Sequence, residues 1–343
     1  EEIVQRYGEV DYNFATIEIH PTNSCNQRCW FCSYKFRHTN QKLTWDQLKK
    51  VRDLKPKTIT LVGGGEPTLY SDGTHDFNEV VQMYSETPNP PELGVISNGA
   101  ITPFGGWQSL VKWIRVSLDA SNKETYRSLK NTDDFSKVIK NIEGYIKSPV
   151  PMVGIGFLAQ KRNILNFPSF LYLCYELDAG TKKVNVQQRP IHGSPEEIPT
   201  LDQLTRTIEE VNQITERDAS FREFISYQTN FYKIAEAVKD RKSPWRQPKT
   251  PESRACFFSL LFALINAHGD IYPCRMMSEN QQMKIGHIDE PIKAILEKRA
   301  ELFRKIKPAE CSECCRDDGN NLSLEKALNQ PSLIKKASSH KFI

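Results

Sequence analysis

The sequence lacks any hydrophobic run long enough to cross a bilayer. Its best apolar stretch, LLFALINA at 260–267, is far shorter than the roughly 20 residues that a membrane helix needs, and we interpret it as a buried strand. The first ten residues, EEIVQRYGEV, also lack the basic start and the apolar stretch of a secretory signal. We therefore expect no membrane association and a cytoplasmic location.

The sequence also has little excess of charge of either sign. Its 46 Lys and Arg residues against 42 Asp and Glu residues leave a formal net charge of only +4 over 343 residues. A nucleic-acid-binding domain would carry a basic face or stripe, and none is visible. The composition predicts a mixed, solvated surface and no nucleic-acid partner.

Cysteine, by contrast, is present nine times and is clustered. A chain of this length without a secretory signal does not suggest a disulfide framework, which belongs to small secreted domains. Clustered cysteines in an intracellular enzyme indicate a bound metal instead. Three lie in CNQRCWFC at 25–32 and five lie between 256 and 315, whereas Cys174 is predicted to be a buried core residue.

Short apolar runs rich in β-branched residues alternate with helical patterns from residue 16 to about 190. The predicted strands are 16–20, 58–62, 93–97, 113–118, 152–159 and 183–187. The apolar residues of FSKVIKNIEGYIK, between the fourth and fifth strands, recur at helical spacing. This alternation predicts an α/β fold with a parallel sheet, a partial (β/α)6 barrel, because a full eightfold barrel would need two more units.

The rest of the chain changes character. Residues 191–255 have Pro- and charge-rich flanks around polar helical segments, and we interpret them as a helical connector or cap. An apolar strand LFALIN, a turn at AHGD, a short strand at IYPC and a helix at about 291–307 follow. The predicted organisation is a barrel at 1–190, this connector, a cysteine-containing domain at 256–320 and a tail at 321–343.

The first cysteine group, Cys25, Cys29 and Cys32, follows the first predicted strand. Barrel folds place their chemistry at this carboxyl edge of the sheet. Structural zinc is normally held by four protein ligands, whereas a cubane iron–sulfur cluster with three thiolates keeps one iron open. The alternative is a zinc site that His20 or His38 completes.

The spacing C-x3-C-x2-C after strand one, with the aromatic Phe31 before the last cysteine, resembles the radical S-adenosylmethionine (SAM) superfamily. The resemblance implies that the three thiolates hold a 4Fe-4S cluster whose open iron is chelated by the amino and carboxylate groups of SAM. An external one-electron donor, such as a flavodoxin or a ferredoxin, would reduce the cluster. One electron then cleaves a C–S bond of SAM and yields a 5′-deoxyadenosyl radical, which must be shielded from water.

Motifs at the next strand ends extend this resemblance. Gly64, Gly65 and Glu66 match the family's GGE motif, which implies contact with the SAM amino group, and the glycines permit positive φ and close approach to a ligand. VISNG and RVSLDA follow strands three and four, and the resemblance implies ribose- and methionine-contacting positions there. These positions are Ser97, Asn98, Ser117 and Asp119. Ordinary turn or helix capping is the alternative for each.

Polar residues also follow the fifth and sixth predicted strands. Those expected to point into the mouth of the barrel are Lys161, Asn163, Gln188 and Arg189. A lone basic residue at a strand end is equally often solvated or structural. We select Arg189 as a substrate or acid–base contact.

The second cysteine group combines C-x12-G-x4-C, formed by Cys256, Gly269 and Cys274, with CSECC at 311–315. It resembles the start of a SPASM domain, and more closely the shortened twitch domain, because no cysteine follows Cys315. A twitch domain implies one auxiliary 4Fe-4S cluster, with these ligands: Cys256, Cys274, Cys311 and Cys315. Cys314 would then be the spare thiol, although the spacing also allows the reverse, and four thiolates also suit a structural zinc ribbon.

The leading hypothesis is a radical SAM oxidoreductase that abstracts hydrogen from a polar substrate, a sugar or cyclitol carbon. A cluster with four thiolates cannot chelate a substrate, so its expected task is to accept or relay an electron. An epimerase, with Cys314 returning a hydrogen atom, and an enzyme that modifies a ribosomally made peptide are the alternatives. A non-catalytic iron–sulfur carrier would have no use for the SAM-pocket motifs.

Overall fold

The computed structural model describes residues 14–34, 38–103, 105–190, 195–228, 252–253, 255–278, 280–311 and 318–329. The chain forms two compact units. The larger unit comprises Ile19–Trp45 and Thr58–Arg246, and the smaller unit comprises Glu1–Glu18, Asp46–Lys57 and Gln247–Ile343.

A parallel sheet is the centre of the larger unit. Its strands are β1 (Thr16–Ile19), β2 (Thr58–Leu61), β3 (Glu92–Ser97), β4 (Trp113–Ser117), β5 (Met152–Ala159) and β6 (Val184–Pro190). β2 to β6 lie side by side in chain order and pair in parallel. The predicted α/β fold with a partial barrel of βα units is confirmed. Of β1, Thr16, Ile17 and Glu18 belong to the smaller unit and Ile19 belongs to the larger one.

The last strand is longer than predicted. β6 continues through Gln188 and Arg189 to Pro190, because Phe157 to Ala159 of β5 offer a continuous parallel partner. The polar letters QQR carry no strand signal of their own. Pairing with β5 therefore extends the strand beyond its apolar part.

Helices connect these strands, and their bounds are α2 (Phe77–Ser85), α3 (Lys123–Lys130), α4 (Phe135–Lys147), α5 (Phe167–Asp178), α6 (Leu201–Arg217) and α7 (Ala219–Ser226). α4 coincides with the predicted helix and buries Val138, Ile142 and Ile146. α6 begins with a capping box between Thr200 and Gln203. Cys174, in α5, is fully buried as predicted.

Residues of β4, β5 and β6 alternate between two faces of the sheet. One face is apolar and almost fully buried, and it is formed by Ile114, Val116, Val153, Ile155, Phe157, Val184 and Val186. The opposite face, here called the inner face, carries Arg115, Ser117, Gly154, Gly156, Asn185, Gln187 and Arg189. The Arg115 side chain crosses the strand between them at Gly154 and donates from Nη1 to Gln187 Oε1 at 3.0 Å. The inner face is therefore polar.

The smaller unit contains an antiparallel sheet of β7 (Phe262–Ile265), β8 (Asp270–Tyr272) and β9 (Gly286–His287). Its helices are α1 (Trp45–Asp53), of which all but the first residue belongs here, α8 (Phe258–Leu261), α9 (Ile292–Lys305) and α10 (Asp318–Asn329). The predicted strands LFALIN and IYPC and the helix near 291–307 correspond to β7, β8 and α9. Gly269 has φ +88° in the turn that joins the first two strands, a conformation that favours glycine.

Within the described ranges, no helix combines the length and the apolar character that crossing a membrane would require.

Candidate active site

The cysteine loop, residues 20–34, follows β1 and is fixed to the end of α3. The backbone N–H groups of Arg28 and Trp30 donate to the carbonyl oxygens of Lys130 and Leu129, both at 3.3 Å. Gln27, which is buried, donates from Nε2 to the Tyr126 hydroxyl at 2.8 Å. The helix thus holds the loop at the residues on both sides of Cys29.

The three thiols of the loop lie close enough to interact electrostatically. Burial raises the pKa of Cys25 to about 11, and the neighbouring Glu66, Cys29 and Cys32 add to the rise. Three thiolates placed together in this setting need a cation to compensate their charge, because a metal deprotonates the thiols that bind it. The loop therefore suits a metal group rather than free thiols.

The described side chains do not form a site for a single metal ion. Across the described ranges, no three side chains of His, Cys, Asp and Glu converge as a single metal ion requires. A cubane cluster instead places each thiolate on a different iron, so its sulfur ligands stand farther apart. The zinc alternative is not favoured, since His20 packs edge-on against Tyr34 and His38 contacts Arg28.

Glu66, in the loop after β2, is 2% exposed and lies near Cys25. Its Oε1 accepts hydrogen bonds from the backbone N–H of Thr68 at 3.2 Å, from Thr68 Oγ1 at 2.7 Å and from Ser97 Oγ at 2.8 Å. Its Oε2 accepts one, from the Asn98 backbone N–H at 2.7 Å. Burial raises the pKa of this carboxyl although the donors oppose the rise. Since a carboxylate oxygen has two lone pairs, Oε2 can still accept a hydrogen bond from an ammonium group such as that of SAM.

The glycines before Glu66 serve close packing rather than an unusual backbone conformation. None of Gly63, Gly64 and Gly65 has positive φ, contrary to the expectation from sequence. A Cβ on Gly65 would overlap the Ser24 carbonyl oxygen, and one on Gly64 would overlap the Asn23 side chain. Glycine is needed at these positions because the cysteine loop packs directly against their backbone.

Ser97 and Asn98, at the end of β3, support both loops. Ser97 Oγ donates to Glu66 and accepts from the Gly99 backbone N–H at 2.9 Å. Asn98 Nδ2 donates to Asn26 Oδ1, in the cysteine loop, at 2.7 Å. Their contact with SAM stays a prediction, and the bonds that they make here are to the protein.

Ser117 and Asp119, at the end of β4, differ in their surroundings. Ser117 is half-buried on the inner face, and its hydroxyl forms no hydrogen bond with the described residues. Asp119 is buried, with φ +63°; Oδ1 accepts from the Leu158 backbone N–H at 2.6 Å, and Oδ2 accepts from Lys130 Nζ. Both oxygens of Asp119 are thus engaged by the protein.

The four polar residues predicted at the barrel mouth do not share one environment. Asn163 is fully buried and donates from Nδ2 to the carbonyl oxygens of Asp119 and Leu158, which is a structural role. Lys161 is exposed and Gln188 is buried. Arg189, paired in register with Leu158, is half-buried at the end of β6, and its role in substrate contact stays a prediction.

Two residues near the cysteine loop were missed by sequence reasoning. Arg162 stacks on the Trp30 ring with its guanidinium carbon 4.0 Å from the centroid, and an ion pair with Glu197 holds it there. Lys130 is buried beside Phe31, with Nζ 5.1 Å from the ring centroid. One sequence signal could have indicated the burial of Lys130. It shares the buried side of α3 with Tyr126 and Leu129, at helical spacing.

The smaller unit brings together residues of the second cysteine group. Burial raises the pKa of the Cys256 thiol, and Cys311 close by adds to the rise. Asn321 of α10 accepts the Phe258 N–H at its Oδ1 at 2.8 Å, and its buried side-chain amide lies beside the Cys256 thiol and lowers the pKa of that thiol. A buried donor beside a thiol suits the sulfur atoms of a cluster. Cys274 follows β8, whereas Cys314 and Cys315 lie outside the described residues.

Comparison with known families agrees with both cysteine groups. Residues 19–160 match the model of the Radical SAM superfamily, and residues 256–316 match the model of the SPASM iron-sulfur cluster-binding domain. The resemblance drawn from the motifs is confirmed. The choice of the shortened twitch form over a full SPASM domain stays a prediction.

Individual relatives are distant. The probable GTP 3′,8-cyclase of Sulfurisphaera tokodaii is 22% identical over 191 residues, which are 51% of this chain and 55% of that protein. The chain thus spans about half the length of the curated relatives it matches. Native anSMEcpe with bound AdoMet superposes with a TM-score of 0.59 at 15% identity, over 93% of this chain and 100% of that one. Streptococcus suis SuiB bound to precursor peptide SuiA gives 0.58 at 14% identity, over 91% and 78%. At these identities the structures establish a shared fold.

We expect Gly65→Ala to prevent cluster assembly in the larger unit, because the added methyl group would overlap backbone atoms of residues 23 and 24. Anaerobically reconstituted protein should lose about four iron atoms per chain relative to wild type. Gly144→Ala in α4 is the matched control, since its Cβ would meet no atom within 4 Å. Iron analysis that finds the two variants equally loaded would contradict this account of the glycine.

We expect the Cys25 thiol of the apoprotein to be slow to alkylate at neutral pH. Its pKa of about 11 leaves roughly two orders of magnitude less thiolate than in a free cysteine, and only the thiolate is nucleophilic. The iodoacetamide rate, followed by peptide mass spectrometry, should rise with pH up to about 11. The control is the same cysteine in urea, and equal rates in the folded and unfolded chains at neutral pH would refute the burial effect.

Proposed function

We propose that this chain, which belongs to the radical SAM superfamily and carries a SPASM iron–sulfur domain, oxidises a polar substrate held on the inner face of its sheet. Its cofactors are a 4Fe-4S cluster, SAM and auxiliary iron–sulfur binding in the SPASM domain. When bound, the cluster and SAM supply a 5′-deoxyadenosyl radical that removes a hydrogen atom from the substrate. The first cluster is assigned to Cys25, Cys29 and Cys32.

In this proposal Glu66 orients SAM through its ammonium group. Oε1 is occupied by three donors and Oε2 by one, so the free acceptor position lies on Oε2. Ser97 and Asn98 hold the carboxylate and so fix the direction of that position. A buried carboxylate also gains from a cationic partner, since burial without one disfavours its charge.

The observation that carries the choice of a polar substrate is one row of the inner face. Ser117, Gly156 and Gln187 are in register on adjacent strands. Arg115 can only donate, so Gln187 turns Oε1 towards it and leaves Nε2 buried with no hydrogen-bond partner among the described residues. The Ser117 hydroxyl also forms no hydrogen bond with the described residues, and Gly156 between the two carries no side chain. A ligand with a hydrogen-bond acceptor would satisfy Gln187 Nε2, since an unpaired buried donor costs about 1–3 kcal/mol, and the same ligand could hydrogen-bond the half-buried Ser117 hydroxyl.

The proposed reaction converts a carbinol carbon of a sugar or cyclitol into a carbonyl. One hydrogen atom would pass to the 5′-deoxyadenosyl radical and give 5′-deoxyadenosine, the hydroxyl proton would leave to solvent, and the auxiliary cluster would accept the remaining electron. An external one-electron donor, such as a flavodoxin or ferredoxin, supplies the electron that cleaves SAM. Arg189, two residues beyond Gln187 on the same face of β6, is proposed as a substrate contact. The proposed ligands of the auxiliary cluster are Cys256, Cys274, Cys311 and Cys315.

The test begins with the metal content of anaerobically reconstituted protein. We expect about eight iron atoms per chain in wild type and about four in a variant with Cys25, Cys29 and Cys32 all replaced by Ala. After reduction with dithionite, wild type alone should cleave SAM. Candidate polyols are then screened for a product oxidised by two electrons per SAM consumed. A redox-neutral product would overturn the dehydrogenase proposal. If Cys314→Ala then abolished formation of that product, the enzyme would be an epimerase.

A second candidate is modification of a ribosomally made peptide. It is supported by the fold shared with SuiB bound to its precursor peptide, which extends over 91% of this chain. Peptide modification predicts binding of a precursor peptide encoded near this protein, measured by titration calorimetry with the reconstituted protein. Failure of every such peptide to bind would remove this candidate, and a scrambled peptide of the same composition is the control.

A further inference from the structure

A lysine and an aspartate are buried together beneath the cysteine loop. Lys130 ends α3, Asp119 follows β4, and their side chains are only 2% and 5% exposed where they form an ion pair. Removing both charges from water is costly, and their mutual attraction offsets only part of that cost. The burial of this ion pair therefore suggests that the pair has a functional role.

The position of the pair relative to Cys29 indicates that function. The carbonyl groups of Leu129 and Lys130 bind the loop on both sides of Cys29, at the N–H groups of Arg28 and Trp30. The Lys130 ammonium lies 5.1 Å from the Phe31 ring centroid, two residues further along the loop. The charges of Lys130 and Asp119 both act on the Cys29 thiol, with Lys130 favouring its thiolate and Asp119 opposing it.

We propose that Lys130 and Asp119 together set the reduction potential of the cluster held by the cysteine loop. Reduction adds one negative charge to the cluster, and the buried ammonium of Lys130 stabilises that charge. Asp119 limits the effect by pairing with the same ammonium. The inference rests on the proposed ligation of the cluster by Cys29.

Electrostatics explains why this cation lies beneath the loop. The last carbonyl groups of α3 point at the loop, and the carboxyl end of a helix carries a partial negative charge. That charge alone would make the cluster harder to reduce. A cation in a buried site is weakly screened, so Lys130 acts on the cluster more strongly than a surface lysine could. Net charge near a cluster is one of the factors that set its potential.

Asp119 is itself fixed from two directions, which keeps the pair in place. Its Oδ1 accepts from the Leu158 N–H at 2.6 Å, and its own carbonyl oxygen accepts from Asn163 Nδ2 at 3.1 Å. Because the ammonium pairs with a carboxylate that these bonds hold in place, its position relative to the loop is restrained. Lys130 and Asp119 are positioning residues in this scheme, since neither is proposed to touch the substrate.

The test is a dithionite titration of the reconstituted full chain, with the reduced cluster followed by electron paramagnetic resonance. The triple Cys25, Cys29 and Cys32 to Ala variant supplies the auxiliary signal for subtraction. Lys130→Gln should shift the midpoint potential to more negative values, and Asp119→Asn should shift it to more positive values. Lys130→Arg, which keeps the charge, should restore a potential near that of wild type. Lys123→Gln, at the exposed start of α3, is the matched control and should leave the potential unchanged.

The opposite signs separate electrostatics from structural damage. Potentials that shift in the same direction in Lys130→Gln and Asp119→Asn, or that do not shift at wild-type iron content, overturn the proposal. Should Lys130→Gln fail to fold, the shifts of Asp119→Asn and Lys130→Arg still decide it. Iron content of Cys29→Ala tests the underlying assignment separately, because full iron loading there would show that Cys29 is not a ligand, whatever the potentials.

Discussion

The site depends on how the cysteine loop is held between two neighbouring segments. On one side its backbone at 22–24 accepts hydrogen bonds from the glycine-rich loop at 65–66, and on the other its N–H groups at 28–30 bind the last carbonyls of α3. An irregular loop cannot satisfy its own backbone groups, so these external partners determine its shape. Since three thiolates placed together would repel one another without a metal, the protein must supply the order that the ligands alone would not adopt.

Much of the larger unit could be predicted from the sequence because its signals are local. Strands such as β5 are continuous apolar runs between helical patterns, and α4 repeats its apolar residues at helical spacing. The later part of β6 could not be predicted in this way, because its polar residues are ordered by pairing with β5. Residues 314 and 315, which decide the auxiliary ligand set, lie outside the described residues.

The sequence identified many residues of the candidate site, but it did not reveal which side chains contact each other. Cysteine spacing identified the loop, and GGE identified the carboxylate, but the partners of each side chain come from distant segments. Ser97 binds Glu66 across 31 positions, and Leu158 binds Asp119 across 39. Lys130 was invisible for a different reason. Its helical position is on the buried side, but a lysine is almost never fully buried unless it is paired, and its partner precedes the helix.

Glu66 and Asp119, the two buried carboxylates discussed for this site, have different hydrogen-bond and charge partners and therefore suit different roles. Among the described residues, Glu66 is held only by neutral donors, so its negative charge has no cationic partner there, and burial raises its pKa. Asp119 is held by a cation, and its charge is therefore already balanced inside the protein. A cationic group arriving from solution gains more from the first than from the second, because an ion pair in a buried site is strong only where the charge has no other partner. The ammonium group of SAM is therefore expected at Glu66. Asp119, although it follows a strand end in the same way, is better suited to hold Lys130 beneath the cluster.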